Sequence, residues 1–254
     1  MADLNPAEFK LFTYPHRHIA KRVFKIREIT STNDILLTDP KKMFRSGDVL
    51  WSLKQSKGRG RYNRIWNSPE GGLYFSILFE DIPRLSAFYP FVLLCALAIR
   101  NVLADRTHEA FFTIKWPNDI YADHHKIAGI LIQSQSTSQD SRAVIGMGIN
   151  LNNPMQHIPN LRTPAISLHE LTGHTSAPES FLEDILDLVD TYYRDFIHQR
   201  FSCYLPELNR VIYSKDKPLI LTEGKRQRIV IPRKFTKDGY LTCEENGEMV
   251  VLMV

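Results

Sequence analysis

Apolar and polar positions along the first 150 residues form short strand-like runs and one longer helical run. Residues 49–53, 73–79 and 144–151 are apolar, contain β-branched or aromatic side chains and are bounded by turn residues, which is typical of strands. Residues 85–103 stay apolar for longer and predict a buried helix. The uncharged part of this run contains Pro90 and is too short to span a bilayer, so we expect no membrane segment.

Two further patterns mark the starts of helices. Ser31, Thr32 and Asn33 precede a short apolar run, and hydroxyl and amide side chains in that place are typical of a helix N-cap. Residues 176–179 read Ser-Ala-Pro-Glu, which fits a capping box with proline in the first turn. Apolar residues then recur at helical spacing over 181–196, so this segment is predicted to be an amphipathic helix.

The pattern changes after about residue 210. Short apolar runs now alternate with turn pairs such as Asp238-Gly239 and Asn246-Gly247, which favour β-hairpins. We therefore predict two domains, residues 1–210 and a small β domain over residues 211–254. About forty residues is the size of a minimal β-barrel that needs a neighbour for stability.

Composition and charge narrow the class of protein. The 254 residues are 43% apolar and 24% charged, which disfavours a disordered or fibrous chain. The net charge of +4 is too small to indicate nucleic-acid binding unless it is concentrated somewhere. Three widely spaced cysteines without zinc-binding spacing, and the lack of a secretory signal pattern, predict a reducing, cytoplasmic location.

Positive charge is concentrated in the segment 55–66, which reads Gln-Ser-Lys-Gly-Arg-Gly-Arg-Tyr-Asn-Arg-Ile-Trp. Its glycines let the backbone approach a ligand, and its guanidinium groups match phosphate oxygens in two-point geometry. The Gly-Lys-Ser/Thr ending of a Walker loop is missing. The segment is either a phosphate-binding loop or a solvated basic loop.

A proline-interrupted strand forms the second candidate segment. Residues 113–116 and 120–121 are strand-like, and Pro117 between them cannot take part in ladder pairing. Asn118 and Asp119 would then leave the sheet, where their side chains could hold a ribose hydroxyl or a magnesium ion. The alternative is a simple Asx turn.

Two later strands carry further candidates. Lys126 opens the apolar strand 126–133, where it could neutralise a transferring phosphoryl group or simply be an exposed lysine. Alternation predicts Lys126, Ala128 and Ile130 on one face and Gly129 on the other. In the strand 144–151, Gly146 and Gly148 leave room for a close neighbour, either packed protein or an adenine ring that Asn150 could contact.

The order of these motifs resembles that of biotin–protein ligases. The resemblance covers residues 25–155 closely and the C-terminal β segment loosely. It implies an α/β fold, with a mixed β-sheet flanked by helices and a C-terminal SH3-like barrel. It also implies a two-step reaction, in which biotin and ATP form biotinyl-5′-AMP and the biotinyl group then passes to a lysine of a carboxylase's biotin carrier domain.

The same resemblance implies roles for individual residues. For biotin, the matching positions are Ser31, Thr32, Asn33, Gln55, Gly58, Arg59, Gly60, Arg61, Lys126 and Gly129. For ATP, they are Arg61, Arg64, Trp66, Asn118, Lys126 and Asn150. Lys126, Arg61 and Asp119 would be catalytic, with Asp119 also the candidate ligand of Mg²⁺.

Other interpretations compete with this one. A lipoate–protein ligase shares the fold and the adenylate chemistry, and a non-catalytic basic nucleic-acid-binding protein could use residues 54–64 and the basic stretch 225–237. About 25 residues precede the first motif, too few for the helix-turn-helix domain of repressor members, so we expect no DNA binding. The expected state is a monomer or a homodimer.

Overall fold

A large mixed β-sheet forms the centre of the computed structural model, which describes residues 6–39, 42–82, 84–136, 141–155, 158, 161, 163–223 and 226–253. Its eight strands lie in the order β1-β2-β3-β4-β8-β7-β6-β5. Only the β2–β3 pair among them is parallel. The strands are β1 (Lys10–Thr13), β2 (Arg22–Ile29), β3 (Val49–Gln55), β4 (Leu73–Glu80), β5 (Phe112–Lys115), β6 (Asp119–Ala122), β7 (His125–Ser136) and β8 (Ser141–Ile149).

Two long helices cover one face of this sheet. They are α2 (Tyr89–Arg106) and α4 (Pro178–Ile197), and their apolar side chains share one core cluster with the sheet. Within the described part of the chain, Leu85–Arg106 is the one helical stretch long and apolar enough to cross a bilayer. Most of it is buried inside the protein, as is usual for a core helix, and the prediction of a buried helix there is confirmed.

The short helix α1 (Thr32–Thr38) lies on the other face of the sheet. Ser31 is its N-cap, as the sequence predicts, and its hydroxyl accepts a hydrogen bond from the Asp34 N–H at 3.3 Å. Leu36 of α1 is fully buried against Leu50, Leu78 and Val144 in a second core cluster. α1 therefore covers only one end of this face and leaves the rest of it to polar side chains.

The predicted capping box at residues 176–179 is wrong. The N-cap of α4 is Ala177, and no side chain caps this helix. The capping box instead starts the shorter helix α3 (Leu168–Thr172), where Ser167 and Glu170 bond each other's backbone N–H groups. Ser176 bonds through its backbone to the Asn152 side chain, so tertiary contacts took the place of the local motif.

A pair of serine variants tests this assignment. We expect Ser167→Ala to lower the free energy of unfolding by about 1 kcal/mol, because it removes the cap of α3. Ser176→Ala should change it by less than about 0.5 kcal/mol, because the Ser176 contacts to Asn152 are made by the backbone. Urea unfolding of both variants measures the difference. A larger loss for Ser176→Ala would place the capping box where the sequence pattern suggested.

A small four-stranded antiparallel sheet forms the C-terminal part of the chain. Its strands are β9 (Leu219–Glu223), β10 (Arg226–Phe235), β11 (Leu241–Glu245) and β12 (Glu248–Leu252), in the order β12-β11-β10-β9. The predicted turns at Asp238-Gly239 and Asn246-Gly247 join β10 to β11 and β11 to β12. Helix α5 (Leu205–Arg210) precedes this sheet, and the division into domains at residue 210 stays a prediction.

Contacts at the edge of the large sheet attach the small sheet to it. Residue Ile212 forms a parallel bridge to Ile114, and the Trp116 indole N–H donates to the Gly239 carbonyl at 3.1 Å. Val230, Leu241 and Cys243 belong to the same core cluster as the long helices. The chain after α5 therefore lies directly beside the proline-interrupted segment of β5 and β6.

Candidate functional site

One row of paired residues runs across the exposed face of the large sheet. Asp119 pairs with Gly129, Gly129 with Gly148, and Gly148 with Tyr74. Since side chains of paired residues project from the same face, these positions share the face that α2 and α4 leave open. Burial raises the pKa of the Tyr74 phenol, and its hydroxyl donates to the Pro69 carbonyl at 2.9 Å. The row has charge at one end and a neutral aromatic ring at the other.

A β-bulge brings Lys126 onto this face. Tyr121 pairs with Lys126, while the preceding Ile120 pairs with Ala128, so Ile127 is an extra residue in β7. The predicted alternation is wrong for this reason: Lys126 lies on the side of Gly129, whereas Ala128 and Ile130 enter the core. The sequence alternation cannot show a bulge, because a bulge depends on the register with the neighbouring strand.

Lys126 contacts the two other segments that the sequence singles out. Its Nζ lies 2.6 Å from Asp119 Oδ1, and both side chains are about four-fifths buried, with exposed fractions of 21% and 23%. The same Nζ lies 5.0 Å from the centroid of the Trp66 ring, within the range of a cation–π contact. The structure thus places the lysine strand, the aspartate turn and the end of the basic loop together.

The basic loop forms a short hairpin of its own. The Gly60 N–H donates to the Arg64 carbonyl at 2.8 Å, and the Trp66 N–H donates to the Gly58 carbonyl at 2.9 Å. A Cβ built on Gly58 would lie 2.4 Å from the Trp66 carbonyl oxygen, so only glycine fits there. Arg59 Nε donates to Asp34 Oδ2 at 2.7 Å, which ties the loop to α1.

The glycines of β7 and β8 make room for the protein's own side chains. A Cβ on Gly148 would lie 2.6 Å from the Trp66 indole, and one on Gly146 would lie 2.0 Å from Asn33 Oδ1. Gly129 also faces Trp66, at 3.0 Å. Of the two neighbours that the sequence allowed for these glycines, the structure shows packed protein rather than space for an adenine ring.

A chain of polar side chains connects the loop with α1 and β7. Gln55 accepts from the Thr32 N–H at 2.8 Å and donates to Ser68 Oγ at 2.9 Å. Ser76 Oγ lies 2.6 Å from both Thr32 Oγ1 and Asn33 Oδ1. Asn33 Nδ2 donates to Gln133 Oε1 at 2.8 Å.

Three members of this chain, Ser68, Ser76 and Gln133, are absent from the sequence predictions. Ser76 is fully buried within the apolar strand β4, and a lone hydroxyl in such a run is a sequence signal that could have identified it. Nothing local marks Ser68 or Gln133. Their role follows only from the neighbours that the fold supplies.

Arg61 and Asn118 line one cavity beside the row. The cavity contains about 530 Å³ of empty space and is otherwise mostly apolar. Its further lining includes Tyr89, Val92, Trp116, Ile130 and Gly239. Arg61 also donates to the Tyr62 hydroxyl at 3.0 Å, whereas Arg64 points to solvent near the Tyr62 ring.

Asn118 and Asn150 are bound to the protein rather than free. Asn118 Nδ2 donates to the Ile130 carbonyl at 2.6 Å and so continues the β6–β7 pairing. Asn150 is 2% exposed, and its Nδ2 lies 3.4 Å from the Ile166 carbonyl that accepts its hydrogen bond. Asn118 is therefore at the cavity wall, while Asn150 lies in a buried loop network next to β8.

The described residues contain no group of three or more His, Cys, Asp or Glu side chains that could hold a metal ion. Asp119 remains as a single carboxylate, with Lys126 against one of its oxygens. Such a site can share an ion with phosphate oxygens and water, as Mg²⁺ commonly requires, but it cannot enclose one.

The basic stretch at 225–237 does not resemble an anion-binding surface in the part that is described. Arg233 pairs with Asp216 at 2.7 Å and with Glu244 at 2.5 Å, and Arg228 lies 3.5 Å from Glu245. Lys225 lies outside the described residues. Acidic neighbours within the small sheet thus compensate these two arginines.

Comparison with known proteins agrees with this geometry. The model of the biotin/lipoate A/B protein ligase family matches residues 25–150. The "Bifunctional ligase/repressor BirA" of Salmonella typhimurium is 30% identical over 225 residues, which cover 86% of this chain and 68% of that protein. The chain belongs to the biotin/lipoate A/B protein ligase family.

Other members of the family are similar over different lengths. BirA of Bacillus spizizenii is 34% identical over 160 residues, 61% of this chain and 49% of that protein, so this chain spans about half the length of that relative. The biotin protein ligase of Aquifex aeolicus, solved in complex with biotin and ATP, superposes with a TM-score of 0.77 at 25% identity. It covers 91% of this chain and 95% of its own, which confirms the predicted fold class for this family member.

Proposed function

We propose that the protein activates biotin with ATP and transfers it to a lysine of an acceptor protein. One observation carries the proposal: the basic loop, through Trp66, packs on Lys126, which itself pairs with Asp119. The family provides the substrates, since the Aquifex relative was solved with biotin and ATP. A relative in Paracoccus denitrificans, 32% identical over 139 residues, is a biotin–[acetyl-CoA-carboxylase] ligase.

In the first step, a biotin carboxylate oxygen would attack the α-phosphorus of ATP, and the bond to the β-phosphate would break. The products are biotinyl-5′-AMP and pyrophosphate. This attack brings two anions together, and Lys126 and Arg61 are the cations that would reduce their repulsion. Arg61 lies at the cavity next to Asn118, where a phosphate group could reach both side chains.

In the second step, the acceptor amine would attack the activated carbonyl carbon and release AMP. Asp119 is placed to accept a hydrogen bond from this amine, because its carboxylate lies on the open face beside Lys126. Mg²⁺ bound to ATP would supply further positive charge. Asp119 offers one oxygen ligand to it, with phosphate oxygens and water as the others.

The polar chain around Thr32 and Gln55 favours biotin over lipoate. A ureido ring carries paired hydrogen-bond donors and acceptors, and hydroxyl and amide groups at the end of the site can match them. The dithiolane ring of lipoate offers no such partners. Buried polar groups without partners are unfavourable, so this end of the site discriminates against lipoate.

A transfer assay tests the proposal. The protein would be incubated with labelled biotin, ATP, Mg²⁺ and the biotin carrier domain of a carboxylase, and covalent label on the carrier domain would be measured. Calorimetry with biotin and with lipoate separates the two vitamins. Lipoate binding without biotin binding would replace the proposed substrate, and no transfer with either vitamin would remove the proposed activity.

Arg61→Ala should weaken the hold on the intermediate. We expect the affinity for ATP to fall about 10-fold, since one charge-assisted hydrogen bond to phosphate is lost. Biotinyl-5′-AMP should also leave the site faster, which a filter assay of bound label measures. Arg64→Ala is the matched control for a general charge effect, because Arg64 is exposed and does not line the cavity. Equal losses in both variants would contradict a specific contact by Arg61.

We further propose a cytoplasmic location and a carboxylase carrier domain as the partner. All three cysteines are unpaired, and Cys95 and Cys243 are buried, which supports a reducing compartment. A state of monomer or homodimer and the lack of DNA binding stay predictions.

A further inference from the structure

We propose that Lys115 is a positioning residue of this site, which shares the Asp119 carboxylate with Lys126. Its task is to compensate Asp119 when Lys126 turns to the substrate's phosphate. The inference rests on the proposed function for its kinetic consequence, and on the geometry of β5, β6 and β7 for the contact itself.

Strand register places the two lysines on either side of Asp119. Lys115 and Asp119 are paired residues of the β5–β6 hairpin, so their side chains project from the same face and their Cβ atoms lie about 5 Å apart. Lys126 approaches from β7 and lies 2.6 Å from Asp119 Oδ1. One carboxylate thus lies between two cations from neighbouring strands.

Aromatic rings hold the Lys115 ammonium in place. Its Nζ lies 4.9 Å from the ring centroid of Tyr121 and 5.1 Å from that of Tyr213. It also donates to the Tyr121 hydroxyl at 3.3 Å. The two rings contact each other, with centroids 4.6 Å apart. A lysine fixed in this way cannot reach far, so it acts on substrate through Asp119 rather than directly.

The charges around Lys115 support its coupling to Asp119. Burial lowers the pKa of Lys115, the Asp119 carboxylate opposes this by raising it, and Lys126 lowers it further. The ionisable groups that face it are Asp119 and Tyr121 on β6, Lys126 on β7, and Tyr213 after α5. Part of the stability of the Lys115 charge therefore comes from Asp119.

This arrangement solves a problem for the first step. When Lys126 contacts the α-phosphate, it gives up part of its contact with Asp119 and leaves a largely buried carboxylate. An uncompensated charge in such a place is unfavourable, and it would pull Lys126 back. Lys115 compensates the carboxylate from the other side, so Lys126 is free to engage the substrate.

Variants of Lys115 test the proposal in two backgrounds. We expect Lys115→Met to slow adenylate formation by about 10-fold, with the affinity for biotin within about twofold of the wild type. Lys115→Arg keeps the charge and should restore most of the rate. In an Asp119→Asn background, where no carboxylate needs compensation, Lys115→Met should slow the remaining reaction by less than about twofold.

Lys25→Met is the matched control. Lys25 also packs on an aromatic ring, with Nζ 4.2 Å from the Trp51 centroid, and pairs with Glu179, but it lies on β2, away from the site. Its loss should leave adenylate formation unchanged. Equal effects of Lys115→Met in both backgrounds, or no rescue by arginine, would show a structural role only and overturn the proposal.

Amine labelling separates this inference from the proposed function. Acetic anhydride labels only neutral amines, so the pH dependence of Lys115 labelling reports its protonation. Asp119→Asn should lower the pH at which Lys115 becomes reactive, because a raising influence on its pKa is removed. An unchanged labelling curve overturns the coupling. A wild-type protein without ligase activity overturns the proposed function and leaves this measurement standing.

Discussion

Replacing Lys126 by methionine should lower the rate of adenylate formation by a factor of about 100 to 1,000. Two anions about 4 Å apart at an effective dielectric constant near 20 repel each other by about 4 kcal/mol. A stabilisation of that size corresponds to about a 1,000-fold change in rate. Lys126 would offset much of this repulsion, and Arg61 and Mg²⁺ the rest. Biotin-dependent exchange of labelled pyrophosphate into ATP measures the effect.

Methionine is chosen because it keeps the apolar stem that packs near Trp66 and removes only the charge. Urea unfolding should show nearly wild-type stability for the variant. Lys25→Met serves as the control here too, since Lys25 carries a buried stem but no role in the site. Exchange within about threefold of the wild type would contradict a catalytic role for Lys126.

Gly146→Ala should destabilise the protein more than any other single methyl group discussed here. A Cβ at this position would lie 2.0 Å from Asn33 Oδ1, and Asn33 is 4% exposed. Overpacking and the loss of buried hydrogen bonds to Ser76 and Gln133 together should lower the free energy of unfolding by about 2–4 kcal/mol. Urea unfolding measures the loss.

Gly60→Ala is the matched control for this substitution. The φ angle of Gly60 is −119°, and the nearest atom to its Cβ would be 3.6 Å away, so an alanine fits. Its unfolding free energy should stay within about 0.5 kcal/mol of the wild type. If Gly146→Ala were equally stable, Asn33 could not occupy the space above β8, and the polar chain through Ser76 would be interrupted.

Local patterns predicted most of the secondary structure. The N-cap at Ser31, the buried helix after residue 85 and the hairpin turns at Asp238 and Asn246 depend on residues close in sequence, and each is confirmed. The capping box failed, because Ser176 has the correct neighbours in sequence but is held by Asn152, which lies 24 residues away. A local rule cannot weigh a distant partner.

The site residues show the same division. Gly58, Asp119 and Lys126 could be selected from the sequence because their residue types are unusual where they occur, and their order matches one family. The sequence did not reveal Lys115 as a neighbour of Asp119, or Ser76 as the link between Thr32 and Asn33. Both relations depend on strand register and on α1 lying against β4.

By itself, the order of residues determined the family, the fold class and the segments that carry the chemistry, since these depend on residue types and on short-range periodicity. The tertiary structure alone decided on which face Lys126 lies, what fills the space above the glycines, and which cations share Asp119. The physical reason is that a single extra residue at Ile127 reverses the side-chain alternation of β7. That reversal exists only in the pairing with β6, and no pattern within the strand itself contains it.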